Sequence, residues 1–256
     1  MTDFLPSIGR VFINFLGAAG RFAMFTLSAL SHCFRPPFYF RLIGRQMVDI
    51  GFYSLPVVGL TAVFTGMVLA LQTNTGFSRF GAASVTATVV VLSVTRELGP
   101  VIAALMVAGR IGASIAAEIG TMRVTDQIDA LSTLSTNPLK YLVVPRIIAG
   151  LVTVPILVLI ADIIGIFGGY LVGTYKLGFN AATYLNNTAQ NLTAIDVSSG
   201  LIKAAVFGFI VALMGCYHGY HSRGGAQGVG AATTHAVVSS SVMILLFDYV
   251  LTSILF

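Results

Sequence analysis

The sequence predicts an all-α polytopic membrane protein, and its composition, its hydropathy and the length of its apolar runs support this class. Hydrophobic residues make up 56% of the 256 residues and charged residues only 9%, whereas a soluble domain carries about 25% charged residues. The mean hydropathy is +0.91, and apolar runs of roughly 20 residues, enough for a helix to cross a bilayer, recur along the chain. This pattern leaves no room for a separate soluble domain. The net charge of +5 fits loops that face anionic lipid better than nucleic-acid binding.

The N-terminal part is predicted to lie on the membrane and not to cross it. Residues 4–30 carry apolar side chains at helical spacing, with Arg10 and Arg21 among them, which is typical of an amphipathic helix in the interface. The same arginines interrupt the apolar run and argue against a cleaved signal peptide. We therefore expect an interfacial helix and basic linker at 1–45 and a transmembrane domain at 46–256.

About five spans are predicted, at about 50–75, 99–117, 147–175, 197–217 and 236–256. The segment from Arg79 to Glu118 is too long for one span, and the sequence Arg96-Glu97-Leu98-Gly99-Pro100 is its only candidate for a break. We expect a partial, re-entrant helix at about 82–95, a break there, and then a full span. This arrangement places the basic loop after Glu118 on the face opposite to Arg79.

Basic residues predict the orientation of this layout. One face collects seven of them in its loops and the other face two, and an excess of Lys and Arg marks the cytoplasmic side. The seven are Arg35, Arg41, Arg45, Arg123, Lys140, Arg146 and Arg223, and the two are Arg79 and Lys176. The N-terminus is therefore predicted on the cytoplasmic side and the C-terminus outside.

Charged residues inside predicted spans are candidates for function, because such groups are costly in lipid and usually face a cavity. Arg96 and Glu97 either form a mutual salt bridge that pins a broken helix or line the rim of a substrate cavity. Asp248, in "LLFDYVLT", has no basic neighbour in sequence. We expect it to find a partner from another span, either Arg96 or Lys203.

The loop that follows Glu118 predicts a docking helix. Apolar residues at 124, 128, 131 and 134 form one stripe, Thr125 is a candidate N-cap, and polar residues lie off the stripe. The polar set is Arg123, Asp126, Gln127 and Asp129. A short amphipathic helix here would either dock a soluble partner or rest on lipid headgroups.

The third predicted span contains a ridge of glycines, and the sequence lacks motifs for ATP or metal binding. Gly165, Gly169 and Gly173 are four apart, which allows close helix contact either within the chain or across a dimer. The sequence has no GxxxxGK[ST] motif for ATP, and His218 and His221 lack an HExxH context or a nearby carboxylate for a metal. Neither a cofactor on this chain nor an intramembrane enzyme is predicted.

The stretch "TRELGPVIAALMVAGRIGASIAAEIGTMRVTDQIDAL" at 95–131 resembles the core of the MlaE (YrbE-type) permease family. The stretches "NPLKYLVVPRIIAG" and "GGAQGVGAATTHAVVSSSVMILLFDYVLT" resemble it as well. The resemblance covers about 45–256. Members of this family are membrane subunits of ABC transporters that work with MCE-domain proteins.

The resemblance implies a homodimeric permease of the bacterial inner membrane that moves phospholipids or related lipids to or from a periplasmic MCE ring. Two cytosolic ATPase subunits would hold ATP and Mg, and some family systems add a small cytosolic STAS-domain protein. Such a system maintains the lipid asymmetry of the outer membrane. The family's coupling helix maps onto 118–134, including Glu118 and Met122, and the C-terminus would be periplasmic.

The resemblance also places a lipid cavity near Arg96, Glu97 and the outer half of the first span. A phospholipid needs a few polar groups above an apolar slot, and Asp248 is a further candidate for the polar part. The expected slot consists of Val63, Phe64, Met67, Val68 and Leu71 beside Gln72 and Asn74. Two other classes remain open, namely an ATP-independent channel or secondary transporter and a structural scaffold for MCE proteins.

Overall fold

The computed structural model describes residues 4–33, 35–36, 39–79 and 85–256, with the side chains of the first helix from Ile13 onward except that of Phe15. Throughout these ranges the ordered elements are helices, and no strand is present. The helices are α1 (Phe4–Cys33), α2 (Phe40–Ile50), α3 (Leu55–Ser78), α4 (Thr86–Val124), α5 (Gln127–Thr133), α6 (Leu139–Tyr175), α7 (Ala181–Asn191), α8 (Ala194–Tyr220) and α9 (Gly225–Leu255).

Five of the described helical segments are long and apolar enough to cross a membrane, which confirms the predicted polytopic class. They are Phe40–Ser78, which joins α2 to α3, and the helices α4, α6, α8 and α9. Helix α1 is not among them. Its Phe22 and Phe25 pack edge-on against Tyr217 near the end of α8, with ring centroids 5.1 and 5.5 Å apart. The predicted N-terminal unit at 1–45 includes residues 1–3, 34, 37 and 38, which lie outside the described residues.

The predicted break at Arg96–Pro100 is wrong, because α4 is continuous through it. Val94–Leu98 forms a π-turn in which the amide of Gly99 donates to the carbonyl of Val94, and Gly99 keeps helical angles. Pro100 has no N–H to donate, and the widened turn takes in its ring without ending the helix. At 1.5 Å per residue the 39 residues of α4 span about 58 Å, which is more than the roughly 30 Å of a bilayer core. The expected re-entrant helix, whose residues 82–84 lie outside the described residues, is thus the end of one long helix.

The last helix starts earlier than predicted. The sequence suggested a glycine-rich loop before a span at 236–256, whereas α9 begins at Gly225. Gly224 and Gly225 adopt φ of +89° and +67°, which glycine reaches without steric cost. These two residues turn the chain tightly, and the rest of the glycine-rich stretch is helical.

The glycine ridge of α6 is used inside this chain. A Cβ on Gly169 would lie 2.8 Å from Val90 of α4, and one on Gly173 would lie 2.6 Å from the Tyr184 ring of α7. A Cβ on Gly165 would lie 3.3 Å from the Ala62 carbonyl of α3. Small residues therefore bring α6 close to three neighbouring helices, as in other membrane bundles.

Candidate functional site

Arg96, in the π-turn of α4, pairs with an aspartate that begins α8. Its Nε and Nη2 lie 2.6 and 2.5 Å from Oδ1 of Asp196, whose side chain is fully buried. The other oxygen of Asp196 accepts hydrogen bonds from the backbone N–H and the hydroxyl of Thr193, at 2.9 and 2.8 Å. Thr193 and Asp196 form a capping box at the start of α8. The carboxylate is thus satisfied at both oxygens and fixes the guanidinium at the end of a helix.

Glu97 points to a different partner, the buried ammonium of Lys203 on α8. Lys203 Nζ donates to Glu97 Oε2 at 2.6 Å, to Thr252 Oγ1 at 2.7 Å and to the Arg96 carbonyl at 3.1 Å. Asp248 Oδ1 on α9 lies 3.1 Å from the same ammonium. One fully buried cation therefore joins α4, α8 and α9.

The hypothesis of a mutual Arg96–Glu97 salt bridge is wrong. Adjacent residues project about 100° apart around a helix, so the two side chains reach different neighbours. Of the two partners considered for Asp248, the structure selects Lys203. Both side chains of the Arg96–Glu97 pair remain about one-third exposed, at 36% and 37%. The ring of Phe256 lies 4.5 Å from the Arg96 guanidinium carbon, so this network reaches the surface of the chain.

An apolar groove runs along α3. Its volume is about 610 Å³, and Leu98, which directly follows Glu97, forms part of its wall. The lining residues are Leu60, Thr61, Phe64, Thr65, Val68, Leu69, Gln72 and Leu98. The groove has an apolar floor with a few hydroxyl and amide groups, and none of these lining residues is charged.

Three of the seven slot residues predicted on α3 line this groove, namely Phe64, Val68 and Gln72. The other four, which are Val63, Met67, Leu71 and Asn74, do not line it. Helical periodicity explains the division, because the lining positions of α3 recur four apart, at 60–61, 64–65, 68–69 and 72, whereas 63, 67, 71 and 74 fall outside this stripe. The carbonyl of Val63 instead packs against Gly168 of α6.

The buried acid Asp162 lies close to Gly99, at the end of the π-turn. Asp162 of α6 is 5% exposed, and a Cβ at Gly99 would lie 1.8 Å from its Oδ1. That oxygen has no hydrogen-bond partner within the part of the chain that the structure describes. Glycine at position 99 is therefore what lets α6 and α4 approach beside the groove.

At the other end of α4, the predicted docking segment is a separate short helix. Asp126, with φ +57°, holds the N-cap position of α5, and its side chain accepts no capping hydrogen bond. The expected cap at Thr125 is wrong, because the Thr125 hydroxyl donates to the Thr121 carbonyl of α4 at 2.8 Å. In α5, Ile128 is buried, whereas Gln127 and Asp129 are exposed. The apolar stripe thus packs inward at Ile128 and leaves a polar face in solvent.

Ion pairs fasten this docking segment to the bundle. Glu118 Oε2 lies 2.8 Å from Nη2 of the buried Arg146 on α6. Arg123 Nη1 lies 2.7 Å from Oδ1 of Asp129. Met122, which lies between Glu118 and Arg123 in sequence, is half-buried. The second pair joins α5 to α4, and the first joins the same end of α4 to α6.

Sequence reasoning missed two partners in the site, Asp196 and Thr252, and left Lys203 as one alternative. The pattern Thr193-x-x-Asp196 was a readable signal for a helix start, but nothing in the sequence joins it to Arg96, 100 residues away. The histidine pair has another use than metal binding, because His218 Nε2 lies 2.9 Å from the Ser239 hydroxyl. Among the described residues, no group of three or more His, Cys, Asp or Glu side chains is arranged to hold a metal.

Comparison with known proteins adds a family model and several relatives. The family model described as Permease MlaE matches residues 43–254. A probable ABC transporter permease protein of Rickettsia bellii is 62% identical over 250 residues, which cover 98% of this chain and 96% of the relative.

Two more distant relatives carry more specific names. The intermembrane phospholipid transport system permease protein MlaE of Haemophilus influenzae is 34% identical over 257 residues, with 100% of this chain and 98% of that protein covered. The chloroplastic protein TRIGALACTOSYLDIACYLGLYCEROL 1 of Arabidopsis thaliana is 38% identical over 212 residues. That match covers 83% of this chain and 61% of the relative.

Proposed function

Since the chain belongs to the MlaE permease family of ABC transporters, we propose that it moves phospholipids between the inner membrane and a periplasmic partner. The observation that carries this proposal is the apolar groove beside the Arg96 network. A groove of about 610 Å³ falls in the size range of small-ligand sites, roughly 300–1,000 Å³. It offers apolar contacts for acyl chains, and Arg96, which precedes the lining residue Leu98 by two positions, is the proposed partner of the phosphate.

The partial exposure of Arg96 supports a role in headgroup contact. Its Nε and Nη2 bind Asp196, and 36% of its side chain remains accessible. Arginine binds phosphate oxygens through charge-assisted hydrogen bonds. Asp196 holds the guanidinium in place, and the accessible part meets the lipid.

The proposed drive is ATP hydrolysis on separate cytosolic subunits that dock on α5. Helix α4 joins the two ends of the protein as one continuous element, with the α5 connection at Val124 and the π-turn at Val94–Leu98. A tilt or shift of α5 would therefore move Arg96 and the groove wall at Leu98 without an intervening loop. The N-terminus lies in the cytoplasm and the C-terminus in the periplasm under this proposal.

Further parts of the proposal concern assembly. Two copies of the chain form the permease, an MCE-domain protein stands on the periplasmic side, and a small STAS-domain protein accompanies the ATPase in some systems of this kind. The relative from Haemophilus influenzae is named for intermembrane phospholipid transport, which supports a lipid as the cargo. Such a system would maintain the lipid asymmetry of the outer membrane.

The test combines capture of the complex with lipid transfer. The tagged chain is purified from its native host and the bound fraction examined for a P-loop ATPase and for phospholipid. The complex is then placed in proteoliposomes to follow ATP-dependent transfer of a labelled phospholipid. We expect Val68→Trp, which fills the groove, to abolish transfer. Val152→Trp, an equal change on the exposed face of α6, is the matched control and should transfer normally.

Each contrary result points to a defined alternative. Transfer that proceeds without ATP would replace the proposal with the channel or secondary transporter. A stable complex with no bound or transferred lipid would favour the scaffold. Normal transfer by Val68→Trp would remove the groove from the lipid path.

A further inference from the structure

A second, polar cavity lies between α2, α4 and α6, far from the groove. It consists of two adjoining chambers of about 240 and 360 Å³. Gln46, Asp49 and Glu118 line both chambers. Arg110, which lines the first chamber, follows Arg96 by 14 residues and therefore lies about 21 Å farther along α4.

Arg110, within the candidate membrane span α4, has no carboxylate partner among the described residues. Its Nη1 donates to the Ser54 hydroxyl at 2.9 Å and to the Asp49 carbonyl at 3.4 Å. In the described part of the chain, no carboxylate oxygen lies within 4.0 Å of an Arg110 guanidinium nitrogen, the limit for an ion pair. Arg96, Lys203 and Arg146 each have such a partner. Arg110 thus lines a cavity with its charge unpaired, and an ionisable group of a membrane span in that situation is a candidate for binding a ligand.

Asp49 lines both chambers, and its carboxylate is left without an ion pair among the described residues. Since Asp49 and Arg110 do not pair, their charged groups lie more than 4.0 Å apart across a shared space. Gln46 and Ser114 add hydrogen-bonding groups to the wall, and the exposed Arg45 lines the adjoining chamber. A ligand with one negative and one positive group would satisfy both unpaired charges.

We propose that this cavity binds the phosphate–ammonium headgroup of a zwitterionic phospholipid of the phosphatidylethanolamine class. Arg110 holds the phosphate through its free guanidinium edge, and Asp49 accepts from the ammonium. Val48 and Phe52, next to the lining residues in sequence, are 51% and 66% exposed and offer an apolar surface to the acyl chains. The site is separate from the groove on α3 and does not depend on transport.

The experiment measures binding to the purified full-length chain in detergent, without an ATPase. The probes are dihexanoyl phosphatidylethanolamine, dihexanoyl phosphatidylglycerol and inorganic phosphate. We expect Arg110→Gln to weaken binding of both lipids by about tenfold or more, because a hydrogen bond to a charged group is worth at least that factor. Asp49→Asn should weaken the ethanolamine lipid by a similar factor and leave the glycerol lipid unchanged.

Two further variants keep the test decisive. Arg41→Gln removes the same charge from an exposed residue of α2 that lines neither chamber and should bind as the wild type does. Ser114→Met fills the first chamber without changing a charge and should also lose the ethanolamine lipid, even if Arg110→Gln fails to fold.

The contrary outcomes are distinct. Equal loss of both lipids in Asp49→Asn, or normal binding by Ser114→Met, would overturn the proposal. Inorganic phosphate that competes as well as the ethanolamine lipid would show a free-anion site instead. Lipid transfer through the groove is measured separately, so loss of this site leaves the proposed function standing.

Discussion

Replacing Lys203 with methionine tests whether the buried network stabilises the bundle. The ammonium is fully buried and serves oxygen atoms on two other helices, including the carboxylates of Glu97 and Asp248. Methionine has a similar length but carries no charge. The substitution therefore leaves two carboxylates at membrane depth without their shared cation.

The expected cost follows from the burial of the partners. Removing one partner of a buried ion pair costs about 3–5 kcal/mol. Glu97 and Asp248 are 37% and 21% exposed, so water and lipid headgroups reduce the penalty, and we expect about 3 kcal/mol. At about 2–4 °C per kcal/mol for a chain of this size, the melting temperature should fall by about 6–12 °C.

The assay is thermal unfolding of the purified protein in detergent. Lys176→Met changes an exposed lysine in the loop after α6 and should melt as the wild type does. Adding Glu97→Gln and Asp248→Asn to Lys203→Met removes the uncompensated charges and should recover most of the loss. Wild-type melting of Lys203→Met, or a triple variant that melts below the single one, would refute the reasoning.

Three other changes test the packing, the docking helix and the orientation. Gly99→Ala should lower the melting temperature by several degrees, because its Cβ would lie 1.8 Å from the Asp162 carboxylate; normal melting would mean that α6 can shift. Asp126→Lys with Asp129→Lys should abolish ATPase docking in a pull-down while the chain still inserts, and retained docking would place the ATPase elsewhere. A cysteine at the exposed Asn186 should react with an impermeant thiol reagent from outside the cell, whereas labelling only after lysis would invert the topology.

Native Cys33 is a poor reporter in such labelling. It lies in α1 outside the spans, and burial raises the pKa of its thiol above the ordinary value. Little reactive thiolate is therefore present at neutral pH on either side of the membrane. Introduced cysteines at exposed positions avoid this ambiguity.

Apolar run length predicted the number of spans correctly, whereas the helix-breaking tendency of Gly-Pro gave a wrong prediction where α4 carries a π-turn. The apolar runs were long enough to count five crossings, because the bilayer thickness imposes a length on each helix. Local rules treated Gly99-Pro100 as a break. A π-turn adds one residue to a helical turn and keeps the helix intact. Here it adjoins the close approach of Asp162 to Gly99, a contact between distant parts of the chain that local rules do not see.

The sequence by itself determined that the charges of Arg96, Glu97 and Asp248 had to be paired or face a cavity, because the cost of a charge in lipid does not depend on the fold. Only the tertiary structure decided the pairing, which gives Asp196 to Arg96 and Lys203 to both Glu97 and Asp248. The reason is that these residues lie on helices whose rotation about their axes is set by glycine contacts and side-chain packing. A periodic pattern shows which residues share a face, but the neighbour that each face meets is a property of the assembled bundle.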